Sequence, residues 1–232
     1  MEAAQQFRRR DDIARYSRAM EGGLGRIEDD LAGSCKVAAF SLARDLIASR
    51  QNIQAKRLAE PGPSGEQLDA LLNLAAAAPD HGQLTPWRFI IVPGDQRHRL
   101  AEAFALALVD RDPGATLDQI GSAREKAYRA PLLMVAVACL GKAEPDTPTL
   151  ERMVSLGAAI QNLLLGAHAM GFGAGLTGGR AMASRRVADL CELAEGEAAV
   201  CCVNVGTVAK RQLASRVRPP ADQFTTTLGA GR

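Results

Sequence analysis

Between positions 75 and 89 the chain reads Ala-Ala-Ala-Ala-Pro-Asp-His-Gly-Gln-Leu-Thr-Pro-Trp-Arg-Phe, a stretch that holds one of three histidines and the only tryptophan of 232 residues. Pro79 cannot continue a helical ladder and biases Ala78 away from the α region, so a helix must stop here. From Asp80 to Thr85 the loop then presents a carboxylate, an imidazole, an amide and a hydroxyl between two regular elements. Groups of these types can bind, orient or polarise a small molecule, and loops held by rigid elements are where such groups sit. Alone, His81 reads as an ordinary polar loop residue; beside Asp80, Gln83 and Thr85 it becomes a candidate.

Two further clusters carry chemistry. Arg50-Gln51-Asn52 ends one predicted helix with Lys56-Arg57 close behind, and Lys210-Arg211 follows the last predicted strand. Two basic pairs at element ends could grip one phosphate, although each alone would be a solvated surface. The third cluster, Gly173-Ala174-Gly175-Leu176-Thr177-Gly178, satisfies the pattern GxGxxG. That pattern needs a strand before it, a helix after it and an acid about 20 residues on. Here a helix precedes it, and too few residues remain to complete a dinucleotide domain. What survives is a glycine-rich backbone that can approach a flat or anionic ligand closely. His98 and His168 lack such neighbours and read as structural, and Trp87 at a strand start reads as core. No nucleophile triad signature or P-loop is present.

The elements that must position these groups follow from pattern. With 47 % apolar residues the chain can bury a core, and a net charge of +2 from dispersed residues argues against nucleic-acid partners and a polybasic membrane patch. A small-molecule partner remains. Five cysteines (Cys35, Cys139, Cys191, Cys201, Cys202) lack CxxC spacing, which reads as a reducing cytoplasm without zinc. The polar start shows no secretory signal. From Val154 to Gly179 no charged residue occurs, yet Gln161, Asn162 and His168 interrupt the run. Leu156, Ile160, Leu163, Leu164 and Ala167 recur at helical spacing, so a helix buried in a core or dimer interface is expected, not a membrane span.

Helices are expected from Val37 toward Arg50, after the Ser64-x-x-Gln67 capping box with Leu68, Leu71, Leu72 and Ala75 inward, from Asp95 to Val109, before Tyr128, from Leu150 to Met170, and from Ser184 to Leu193. Strands are expected at Phe89 to Val92 and Leu132 to Ala138, both buried on two faces, then within Gly173 to Leu176 and from Ala199 to Val205. The class is α+β, or mixed α/β, with one central sheet. Residues 1–36 read as an amino-terminal extension, 37–232 as one domain, and the proline-broken tail from about 212 as an arm.

Together these residues resemble the FMN-dependent nitroreductase family, over about Val37 to Phe224. Three pieces carry the resemblance: Arg50-Gln51-Asn52 with Arg57-Leu58, similar to the family's Arg-Arg-Ser phosphate motif; Pro79-Asp80-His81 through Pro86-Trp87; and Gly171-Phe172-Gly173 on to Gly178. The resemblance implies a central, mostly antiparallel sheet flanked by helices, and an intertwined homodimer with FMN at the subunit interface and NAD(P)H as co-substrate. It implies that Arg50, Gln51 and Asn52 meet the FMN phosphate and ribityl chain, with Lys210 and Arg211 as a late basic pair at the phosphate. Leu176, Thr177 and Gly178 would line the isoalloxazine edge, and His81 would reach the flavin from the other subunit, polarising the acceptor or holding the ring. The implied activity is ping-pong reduction of nitroaromatic, quinone or enone acceptors. Related chemistries on the same fold fragment the flavin or dehalogenate aromatics, and a non-enzymatic flavin-binding dimer is a third reading. Gln51 and Asn52 depart from the motif, and Ala77 stands where branch relatives carry Arg, which implies weaker FMN binding than is usual for the family.

Overall fold

The computed structural model describes residues 34–142, 146–210 and 217–229. Contacts divide the chain into two units at Ser49/Arg50. In the first, α1 spans Ser34–Ser49. The second holds every other element among the described residues. Its helices are α2 (Gly65–Ala76), α3 (Arg97–Arg111), α4 (Leu117–Glu125), α5 (Thr149–Ala169) and α6 (Arg185–Leu190). Its strands are β1 (Leu58–Ala59), β2 (Trp87–Ile91), β3 (Leu132–Cys139), β4 (Gly173–Thr177) and β5 (Glu197–Val208).

The start of α2 is the expected one. Ser64 Oγ accepts from the Gln67 N–H at 3.3 Å, and Gln67 Oε1 accepts from the Ser64 N–H at 2.9 Å. Thr116 and Gln119 build the same reciprocal cap on α4, at 3.3 and 2.9 Å. Each box satisfies two amides that the first helical turn otherwise leaves open, worth about 1 kcal/mol apiece.

All strand pairs are antiparallel. β3 lies between β2 and β5, and β5 also pairs with β4 and β1. Along β3 the side chains alternate, as a period of two requires. Met134, Ala136 and Ala138 join a core with Leu71 and Ala75 of α2 and Leu156 and Leu163 of α5. Leu133, Val135 and Val137 join a second core with Leu100 and Phe104 of α3 and Ala123 of α4. The uncharged helix is therefore buried against a sheet, and among the described residues no helix is long and apolar enough to cross a membrane.

Burial on both faces holds for β3 and not for β2. Trp87 is buried, but Arg88, Phe89 and Ile90 are half-buried and Ile91 is exposed. The reason is position: β2 ends the sheet, so one flank has no neighbouring strand. Most other boundaries differ by a few residues at frayed ends, the largest change being β5, which extends to Glu197 and Val208.

Two buried or half-buried charges fasten the layers. Arg97 is 5 % exposed and donates to four carbonyls: Val92 (2.8 Å), Ala127 (2.7 Å), Ala130 (3.1 Å) and Pro131 (2.9 Å). It thereby ties the exit of β2 to the entry of β3, and burial pulls its pKa down from the ordinary arginine value. Arg88 of β2 spans β3 to grip Glu197 of β5 with both arms, Nε to Oε1 at 2.8 Å and Nη2 to Oε2 at 2.7 Å. Glu197 also accepts from the Ala194 N–H at 3.0 Å. The Arg88 guanidinium, then the Ala194 amide, hold the Glu197 carboxyl down at about 2 from an ordinary 4.5.

Because the folded pKa lies below the unfolded one, this grip stabilises fully above about pH 4.5 and is lost as pH falls toward 2. Glu197→Gln is expected to lower unfolding free energy at pH 7 by about 2 kcal/mol, a figure reduced for solvent around Arg88. The gap from wild type should close as urea-unfolding curves are repeated at lower pH; a gap unchanged at pH 3 would show that the charge is not the cause.

Candidate functional site

The glycine-rich segment is β4, and its glycines serve protein packing first. Segment 52–53 runs beside β4: Asn52 bridges Ala174 in parallel, and the Ile53 N–H donates to Ala174 O at 2.9 Å. A Cβ on Gly175 would penetrate Ile53 O and stand 3.0 Å from Asn52 Oδ1; one on Gly173 would stand 2.6 Å from Val208 Cγ2 and 2.8 Å from Leu58 Cδ2. The expected ligand approach is therefore corrected for these two positions, where the close neighbour is the chain itself. Gly178 and Gly179 differ. Nothing crowds them, and Gly179 takes φ 127°, which suits glycine.

This packing brings Asn52 and Leu176 together. Asn52 Oδ1 accepts from the Leu176 N–H at 3.3 Å, which leaves the Asn52 amide group as a donor. Arg50 is half-buried, its carbonyl accepting from Arg218 Nη2 at 3.4 Å, while Gln51 is exposed. Lys210 is exposed just past β5, next to Ala209, whose N–H donates to Arg57 O at 2.9 Å. Arg211, and the first residues of the arm expected from about 212, lie outside the described residues.

Beyond Leu176 the strand end opens on a cavity of about 590 Å³. Thr177, Gly178 and Met182 form one wall; Phe104 of α3 and Ala123 of α4 face them. Asn204 supports that wall from beneath. It is fully buried on β5 and donates through Nδ2 to Thr177 Oγ1 (3.0 Å), Cys202 O (3.3 Å) and Gly175 O (3.4 Å), while its Oδ1 has no partner. Burial pushes the Cys201 thiol up to about 11 and the Cys202 thiol up to about 12, so neither offers a thiolate near neutrality. Among the described residues, no three histidines, cysteines or acids cluster to hold a metal.

His81 stands apart from this group. It opens a 3₁₀ turn, His81–Gln83, and its Nδ1 lies 2.7 Å from Oε2 of Glu151 in the first turn of α5, both side chains exposed. The loop carries local strain, with Gln83 at φ 55° and Thr85 at φ 45°. For a β-branched residue this is an outlier, and the Thr85 N–H bonded to the Asp80 carboxylate helps hold it. Trp87 is buried as core.

Four residues escaped the sequence. Arg111, Lys126 and Arg180 line the cavity from three elements, so no spacing joins them. Asn204 had a signal, a lone amide inside the apolar run 201–205.

With this geometry in view, comparison with known proteins is specific. The nitroreductase family model matches residues 47–207, and the chain belongs to that family. It is 35 % identical over 133 residues to YdjA of Escherichia coli K12, which carries an NAD(P)H nitroreductase name; the match covers 56 % of this chain and 69 % of YdjA. YfhC of Bacillus subtilis 168, similarly named, is 27 % identical over 186 residues, covering 80 % and 94 %. Among solved structures, a nitroreductase-like family protein from Bacillus cereus superposes with a TM-score of 0.68 at 18 % identity, over 80 % of this chain and 95 % of the other. A nitroreductase with bound FMN from Desulfitobacterium hafniense gives 0.57 at 23 %, over 79 % and 96 %. Both show a shared fold.

Gly175→Ala should destabilise the protein by about 2 to 4 kcal/mol, since backbone must yield, whereas Gly157→Ala in α5, with open space around it, should be neutral or gain up to about 1 kcal/mol. Denaturant midpoints test both. Asn52→Ala should speed exchange of the Leu176 amide at least about fivefold, read by hydrogen exchange, in keeping with a lost bond of about 1 kcal/mol.

Proposed function

We propose that the chain is an NAD(P)H-dependent FMN oxidoreductase, working as a homodimer with FMN at the subunit interface and reducing nitroaromatic, quinone or enone acceptors by a ping-pong cycle. The observation that carries this reading is the uncrowded strand end at Thr177–Gly178, opening on a cavity of about 590 Å³ while the same strand is pinned beside Asn52–Ile53, two residues past Arg50. A strand flanked by cationic and amide donors at one end and bare backbone at the other suits a long cofactor with an anionic head and a flat body. Bound FMN would supply the hydride chemistry, and the protein need supply only binding, orientation and exclusion of water. Membership of the nitroreductase family and the FMN-bound relative support the same cofactor.

On this reading each residue has a stated task. Arg50, Lys210 and Arg211 neutralise the phosphate, Arg50 as a fork of donors. Gln51 and the free amide of Asn52 hydrogen-bond the ribityl chain. Leu176 and Thr177 line the ring edge, and the Gly178 N–H donates toward the ring nitrogen at which hydride is exchanged. Asn204 keeps Thr177 in place from below. His81 reaches the partner's site: since the Glu151 carboxylate can only accept, Nδ1 carries the proton and Nε2 is left to face a ligand. As an imidazolium it could polarise an acceptor; as a neutral ring it holds one in place. No acid, base or thiolate is needed at the cavity.

Purified protein should be yellow, or become so with FMN, and NADH or NADPH should bleach it without oxygen. Arg50→Gln should weaken FMN binding at least about tenfold, as expected for one lost charge-assisted contact. Absorbance titration checks both, and protein that takes up no flavin at any concentration would overturn the reading.

A further inference from the structure

Three arginines of α4 and α6 are held in ion pairs. Arg124 pairs with Glu102 at 2.9 Å, Arg186 with Asp110 at 2.8 Å, and Arg185 with Asp189 at 3.0 Å. The three cations that line the cavity are not: among the described residues Arg111, Lys126 and Arg180 form no ion pair. Two acids share the rim. Asp112 spends Oδ1 on the Gly114 N–H at 3.2 Å, and Asp118 sits in the first turn of α4, where the helix dipole favours a carboxylate. The remaining lining includes Phe104, Leu108 and Met182. An apolar floor beneath unpaired cations is complementary to a flat apolar body with one negative group.

We propose that this cavity selects aromatic acceptors bearing a carboxylate or other anionic substituent, held by Arg180 and Lys126 with Arg111 behind them. The inference rests on the oxidoreductase reading for the ligand's role as acceptor, and deepens it by naming the acceptor's class. Arg180 follows Gly179 directly, so a group held by Arg180 keeps the ring it belongs to beside the Thr177–Gly178 strand end.

Calorimetric titration with 4-nitrobenzoate and with nitrobenzene, one charge apart, tests it on the protein as purified and again with saturating FMN. Two or three exposed ion pairs should favour 4-nitrobenzoate about tenfold at low salt, and 1 M NaCl should shrink the margin to about twofold. The double change Arg180→Gln with Lys126→Gln should remove the margin and leave nitrobenzene binding unaltered; the salt series on wild type stands even if that variant folds poorly. Equal affinity for the two probes in wild type, or a margin that survives both salt and substitution, overturns the proposal. NADP⁺ against NAD⁺, one phosphate apart, separates the other source of an anion: a preference for NADP⁺ abolished by the double change, with the nitro probes equal, assigns the cations to the donor and also overturns it. Flavin absorbance tracked in parallel reports on the oxidoreductase reading by itself, because absent flavin uptake leaves the comparison of nitro probes intact.

Discussion

One backbone contact organises the functional half of this protein: the Ile53 N–H against Ala174 O, made possible because residue 175 has no side chain. With any Cβ there, segment 52–53 could not lie against β4, and Arg50 would lose its fixed relation to the strand. Asn52 completes the junction by accepting from the next free amide along β4. The phosphate-side residues and the cavity-side residues are therefore two ends of one strand. Its other edge is fastened to β5 over five paired positions, Gly173 to Thr177. Distance between the two ends is set by strand rise and not by loop conformation.

The second organiser is β5. It pairs with β1, β3 and β4, supplies Glu197 to the Arg88 clasp at one end, and carries Asn204 under Thr177 near the other. A fully buried amide is costly unless bonded, and here its donors are used while Oδ1 is not. That cost is tolerable only where the surrounding register is rigid, which three antiparallel partners provide.

Much of this was legible beforehand. Periodicity and β-branching located β3 and α5, the Ser64–Gln67 box fixed the start of α2, and Pro79 marked a real helix stop. The family resemblance, built on motif residues in three separate stretches, agrees with the family match. The failures have physical causes. GxGxxG suggested ligand approach, but a glycine tolerates any close neighbour, and Gly175 accommodates the chain's own backbone. Burial of β2 was overestimated because apolar content does not reveal which strand ends a sheet. Arg111, Lys126 and Arg180 could not be grouped, since only tertiary folding joins α3, the end of α4 and the turn after β4.

The two walls of the cavity answer to different constraints. One is the end of a strand held in place upstream at Gly175, where any side chain would expel the Ile53 carbonyl. The other is the exposed flank of α4, a short helix started by its own Thr116 box and secured at its far end through the carbonyls gripped by Arg97. Residues on that flank can change size or sign without disturbing the sheet. Descendants of this chain can thus inherit one unvarying grip while exchanging what they admit, and divergence among such proteins should accumulate on the helical wall first.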